Sequence, residues 1–89
     1  MTFDEGKDAE NLRKHGVSLA AAADLDIRVI VDDPRFTEEA RHRAYGYLSG
    51  AAYCLAFTIR NGSVRPISLR RAHAKEMRKH GADDERRRP

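Results

Sequence analysis

Two tight-turn pairs, Ser49-Gly50 and Asn61-Gly62, stand between three runs of strand-forming residues and constrain the fold more than any other feature. Asn-Gly suits a two-residue hairpin because both central positions of that turn need positive φ. The runs are Arg41–Leu48, Ala51–Ile59 and Val64–Leu69. Reversal at both turns makes them an antiparallel meander, with the most apolar run, Ala51–Ile59, as its predicted central strand. The β-branched run Ile27-Arg28-Val29-Ile30-Val31, closed by Asp32-Asp33-Pro34, adds an earlier strand. Between them, residues 33–40 form a loop in which Thr37, Glu38 and Glu39 make a turn. Along the last strand Val64, Pro66 and Ser68 alternate with Arg65, Ile67 and Leu69. Pro66 has no N–H to give a ladder, so part of this strand is expected at an edge or a bulge.

Helical signals flank the strands. Asp4 caps a predicted helix over 5–15, with Glu5 and Asp8 early, Arg13 and Lys14 late, and Gly16 as its stop. Ala9 and Leu12 are its expected apolar contacts. Ser18 caps a second short helix through Leu19–Leu25. A last helix is predicted to open at Arg70-Arg71 and run to about His80, closed by Gly81. On it Arg71, Lys75, Arg78 and Lys79 share a stripe, while Ala74 and Met77 face the sheet. The fold class is α+β.

With 89 residues the chain allows one small domain, expected over 1–81, and 82–89 read as a disordered charged tail. No apolar stretch approaches the roughly 20 residues that cross a bilayer. Met1-Thr2-Phe3-Asp4-Glu5 lacks the character of a secretory signal. The single cysteine, Cys54, allows no internal disulfide, and a cytoplasmic location is expected. The histidines His15, His42, His73 and His80 never stand four apart as in a helical zinc site, so neither metal nor cofactor is expected.

Charge is distributed unevenly. Residues 1–44 carry a net −3 and residues 45–89 a net +6. Between Arg65 and Lys79 lie six bases, Arg65, Arg70, Arg71, Lys75, Arg78 and Lys79, against one acid, Glu76. Guanidinium groups contact phosphate bidentately, so the cluster suits a polyanion, nucleic acid first. It equally suits the solvated face of a surface helix. Cleaving RNA also requires deprotonating a 2′-hydroxyl, stabilising a pentavalent phosphate and protonating the leaving 5′-oxygen. Nearby proton carriers are Glu76, His73, His80 and Lys75. Tyr45, Tyr47 and Tyr53 either stack on bases or pack at the edge of the core.

The elements Asn11-Leu12-Arg13-Lys14-His15-Gly16-Val17-Ser18, Asp32-Asp33-Pro34-Arg35 and Arg65-Pro66-Ile67-Ser68-Leu69-Arg70-Arg71-Ala72, with Lys75-Glu76, resemble the BrnT toxin family of type II toxin–antitoxin modules. The resemblance runs from Phe3 to about Gly81. It implies a RelE-like fold of N-terminal helices, a twisted antiparallel sheet of about four strands and a C-terminal helix. It further implies a metal-independent endoribonuclease that arrests translation and growth. Its partners would be RNA, free or on the ribosome, and a BrnA-like ribbon-helix-helix antitoxin in a hetero-oligomer such as 2:2. By position, Arg65, Arg70, Arg71, Lys75, Glu76 and His80 would be catalytic, and Arg41, Arg43, Arg78 and Lys79 would bind RNA. The family commonly has Trp where this chain has Phe3, and Tyr where it has His80. The alternative is a catalytically degenerate homologue that acts as antitoxin partner and co-repressor.

Overall fold

The computed structural model describes residues 3–35 and 38–83. Thr37 of the predicted turn, and residues 84–89 of the predicted tail, lie outside the described residues. Helix α1 spans Glu5–His15, a 3₁₀ helix spans Leu19–Asp24, and strands β1 (Asp26–Asp33), β2 (Arg41–Leu48), β3 (Ala51–Arg60) and β4 (Ser63–Arg71) follow. A short helix α2, Ala74–Lys79, closes the order. The strands form one antiparallel sheet in the order β1-β2-β3-β4. At both hairpin turns the two central residues have positive φ, Ser49-Gly50 at 49° and 81° and Asn61-Gly62 at 51° and 76°. The turn residues therefore enforce the meander.

Each sheet face carries its own layer. Leu55, Phe57 and Leu69 meet Leu19, Ala22 and Leu25 on the face under α1 and the 3₁₀ helix. On the other face Tyr45 and Cys54 pack with Met77 of α2 and Ala82. Ala82, expected in the charged tail, is 1% exposed and belongs to this second layer.

α1 is attached differently from expectation. Leu12 is 54% exposed and Ala9 is also exposed, so neither is a core contact. The buried residue of α1 is Asn11. Its Nδ2 donates to the carbonyls of Val17 (2.8 Å) and Leu69 (2.9 Å), and its Oδ1 accepts from the Leu69 N–H at 2.9 Å. Asp8 adds a second polar tie, accepting from the Ser18 hydroxyl and the Leu19 N–H at 2.8 and 2.7 Å. Asn11→Leu leaves the Leu69 amide and carbonyl buried without these partners. It is expected to lower stability by about 2 kcal/mol, read as a reduced urea midpoint with an unchanged slope.

The last strand departs most from the sequence expectation. Between Ala56 and Phe57 the register shifts, so Ile67 is an extra residue bulged out of β4. The bulge sits beside Pro66, which pairs with Phe57 but has no N–H to donate to the ladder. Beyond it parity reverses, and Leu69 lies on the same face as Val64 rather than opposite it. β4 also continues through Arg70 and Arg71, which pair with Cys54 and Tyr53. They do not open a helix: α2 begins only at Ala74, after the Ala72 N–H has bonded to the Ala52 carbonyl at 2.9 Å. Arg71 is therefore absent from the helical stripe. Of the two residues expected to face the sheet, only Met77 is buried, whereas Ala74 is exposed.

Candidate nucleic-acid interface

Strand register stacks the site in three cross-strand rows on the α2 face. The first joins Asp33, Arg41, Thr58 and Arg65; the second Val31, Arg43, Ala56 and Ser68; the third Val29, Tyr45, Cys54 and Arg70. α2 covers the third row through Met77. The first two remain open, and the small side chains of Ala56 and Ser68 leave a depression there. The resulting groove has a volume of 520 Å³, and its cations are Arg35, Arg41, Arg43 and Arg70.

A network ties the groove to α2. Arg70 grips Glu76 with both guanidinium ends, at 3.0 and 2.9 Å. Tyr45, 0% exposed, accepts from Arg43 Nη1 at 3.0 Å and donates to Glu76 Oε2 at 3.3 Å. Glu76 also accepts from the His73 N–H at 3.1 Å, which fixes the start of α2. The His80 ring stacks on Tyr45 with centroids 4.6 Å apart. Arg43 keeps one buried nitrogen, Nε, without a hydrogen-bond partner among the described residues.

Electrostatics sets the proton states. The Arg70 guanidinium holds the Glu76 carboxyl at about 2, against an ordinary 4.5. Glu76 is thus ionised at neutral pH and carries no proton to donate. Burial pushes the Tyr45 hydroxyl up to about 12, so it remains a donor. Burial against the sheet lowers the His80 pKa, and the nearby Arg43 and Lys79 charges lower it further. His80 is then a neutral imidazole at pH 7, able to accept a proton. At the open end the Arg35 guanidinium beside Asp33 holds that carboxyl at about 2.

Because the Glu76 carboxyl is more acidic folded than unfolded, its contribution is complete above pH 4.5 and is lost as pH falls towards 2. Allowing for partial exposure, acidification over this window should cost about 1–2 kcal/mol. Urea unfolding of wild type and Glu76→Gln at matched pH should show curves that differ above pH 4.5 and converge towards pH 2.

The structure brings Arg41, Arg43 and Arg70 together in the groove, joins Glu76 and His80 to it from the α2 side through Arg70 and Tyr45, and scatters the rest. Arg65 lines a neighbouring cavity. Arg71 points to the opposite sheet face, its guanidinium 5.6 Å from the centre of the Tyr53 ring. Lys75, Arg78 and Lys79 are exposed on α2. Sequence reasoning missed the bridging role of Tyr45 and the groove position of Arg35, whereas Ser68, which the resemblance puts on the C-terminal motif, lines the groove floor. His42 faces away from Arg41 and Arg43, as strand alternation predicts: its ring lies 5.3 Å from that of Phe57 and its Nδ1 is 2.8 Å from Asp32.

A family model described as the ribonuclease toxin BrnT of type II toxin–antitoxin systems matches residues 3–76. Among solved structures, the chain is similar to the ribonuclease toxin BrnT of Brucella abortus, with a TM-score of 0.64 and 23% identity. The match covers 82% of this chain and 95% of that one, and it extends the likeness to the fold. No curated protein matches the chain. Among the described residues no helix is long and apolar enough to cross a membrane.

Proposed function

Since the chain belongs to the BrnT family of ribonuclease toxins of type II toxin–antitoxin systems, we propose that its groove binds and cleaves RNA. The observation that carries this reading is the gathering of Arg35, Arg41, Arg43 and Arg70 around one concave site. Arg43 and Arg70 hold the non-bridging oxygens of the scissile phosphate and stabilise the charge that grows in the pentavalent transition state. Neutral His80 takes the proton from the ribose 2′-hydroxyl. The 2′-oxygen then bonds to phosphorus, the bond to the 5′-oxygen breaks, and the leaving alkoxide receives a proton from water. The products are a 2′,3′-cyclic phosphate and a free 5′-hydroxyl. Glu76 and Tyr45 orient the two arginines.

In this reading guanidinium groups, rather than a resident metal ion, meet the phosphate charge. The activity arrests translation and growth in the cytoplasm. A BrnA-like ribbon-helix-helix antitoxin covers the cationic groove in a 2:2 assembly. Charge steers that association, so its rate falls with added salt.

The test is the purified chain on single-stranded RNA with a chelator present. Cyclic-phosphate ends are the expected product, together with growth arrest when the chain is induced alone in a bacterium. Intact RNA under those conditions and normal growth would overturn the reading. Intact RNA together with tight antitoxin binding would favour the degenerate co-repressor instead.

A further inference from the structure

A second cationic cavity adjoins the groove. It is 260 Å³ and is lined by Lys7 of α1, Arg41 of β2, Arg60 of β3, and Arg65 and Ile67 of β4. Arg41 and Ile67 also line the groove, so the two depressions are continuous. The β-bulge makes this possible. Arg65 and Arg70 are five residues apart and in a regular strand would face opposite ways. With Ile67 bulged out, they pair with Thr58 and Cys54, which lie four apart on β3 and share one face. At the rise of a strand, that separation is about 13 Å.

We propose that this cavity is a second anion subsite, holding the phosphodiester backbone of one RNA strand beyond the bond that is cut. Arg65 and Arg70 project from strand positions about 13 Å apart along one continuous depression, a spacing that suits linked phosphates of one strand. Both acids at the cavity are already engaged: Asp4 accepts from the Gly6 and Lys7 N–H groups at 2.7 and 3.1 Å, and Glu39 pairs with Arg60 at 2.7 and 3.0 Å. Lys7 and Arg65 supply further positive charge there. The proposal rests on the RNA reading of the neighbouring groove. It moves Arg65 from the reacting phosphate to a binding role and makes the substrate a strand of several nucleotides rather than a dinucleotide.

The test combines Lys7→Ala with Arg65→Ala in the full chain. The binding probe is a labelled single-stranded RNA of roughly 12 nucleotides, 2′-O-methylated so that it cannot be cleaved, followed by fluorescence anisotropy. Affinity should fall about tenfold, and the log–log salt slope should shrink by about 1.4, which corresponds to two lost phosphate contacts. Turnover of an unmodified dinucleotide should be unchanged. A control, Arg13→Ala with Lys14→Ala, removes the same charge outside the cavity and should leave binding unaltered. Unchanged affinity in the cavity variant, an equal loss in the control, or a wild-type chain that binds no strand would overturn the proposal. So would a dinucleotide turnover that falls as far as that of the longer RNA. If no RNA is cut but the anisotropy result holds, the cleavage reading fails and the subsite stands.

Discussion

Arg43→Met should lower single-turnover RNA cleavage about 100- to 1000-fold while the chain remains folded. Arg43 projects from β2 in the middle row of the sheet, paired across to Ala56, so the groove floor lies directly beside it. One terminal nitrogen is spent on the Tyr45 hydroxyl, which fixes the plane of the guanidinium. Its Nε is buried and has no hydrogen-bond partner among the described residues. Methionine keeps an unbranched apolar stem and removes the charge, so the expected loss falls on the transition state more than on packing. The size follows from deleting one preorganised donor facing developing charge, which costs about 3–4 kcal/mol. Arg43→Lys retains charge but not the planar fork, and should recover only part of the rate. Arg71→Met is the informative contrast. Its side chain is exposed on the other face, over Tyr53, so cleavage should be nearly unaffected. Equal losses in Arg43→Met and Arg71→Met would mean that bulk charge matters and the groove does not.

That contrast marks how far the sequence alone carries. The strands of the meander were legible because Ser49-Gly50 and Asn61-Gly62 impose their turns locally, whatever the rest of the chain does. Asp4 and Gly16 made the limits of α1 equally plain. The grouping of bases from Arg65 to Lys79 was legible only as a sum of charge. Its division depends on whether Ile67 is paired or bulged, and on how far β4 follows β3 before α2 begins. Both are settled by the partner strand rather than by local preference. Arg70 and Arg71 are good helix formers, yet their backbone groups stay in the ladder because Cys54 and Tyr53 are there to pair with. Tyr45 was hidden for a similar reason, since its bridge between Arg43 and Glu76 needs the β2 register and the docking of α2 together. Asn11 did leave a signal. A helix with as little apolar surface as α1 must be held by something polar, and Asn11 is its buried side chain.

Bulges also shape the opposite edge of the sheet, and there the second large effect is expected. Gly46→Ala should destabilise the domain by about 3 kcal/mol, lowering its thermal midpoint by roughly 15 °C. In β1 the register shifts between Ile27 and Val29, which makes Arg28 the extra residue against β2. Ile27 is held opposite Gly46, and the β1 backbone passes unusually close to it. A Cβ at position 46 would lie 2.1 Å from the Asp26 carbonyl oxygen and 2.8 Å from its carbon. Neither is the end of a flexible side chain, so relief requires moving the β1 backbone itself. β1 is an edge strand, held in the sheet by β2 alone, and its start can peel away. Peeling would disturb the contact of Arg28, whose guanidinium lies 4.9 Å from the centre of the Tyr47 ring, and the packing of Val29 beside Tyr45. Hydrogen exchange should therefore show amides from 26 to 29 losing protection first, while β3 and β4 keep theirs until global unfolding. A stable Gly46→Ala protein with β1 still protected would mean that the sheet absorbs the added methyl, and that the close approach is not what glycine serves here.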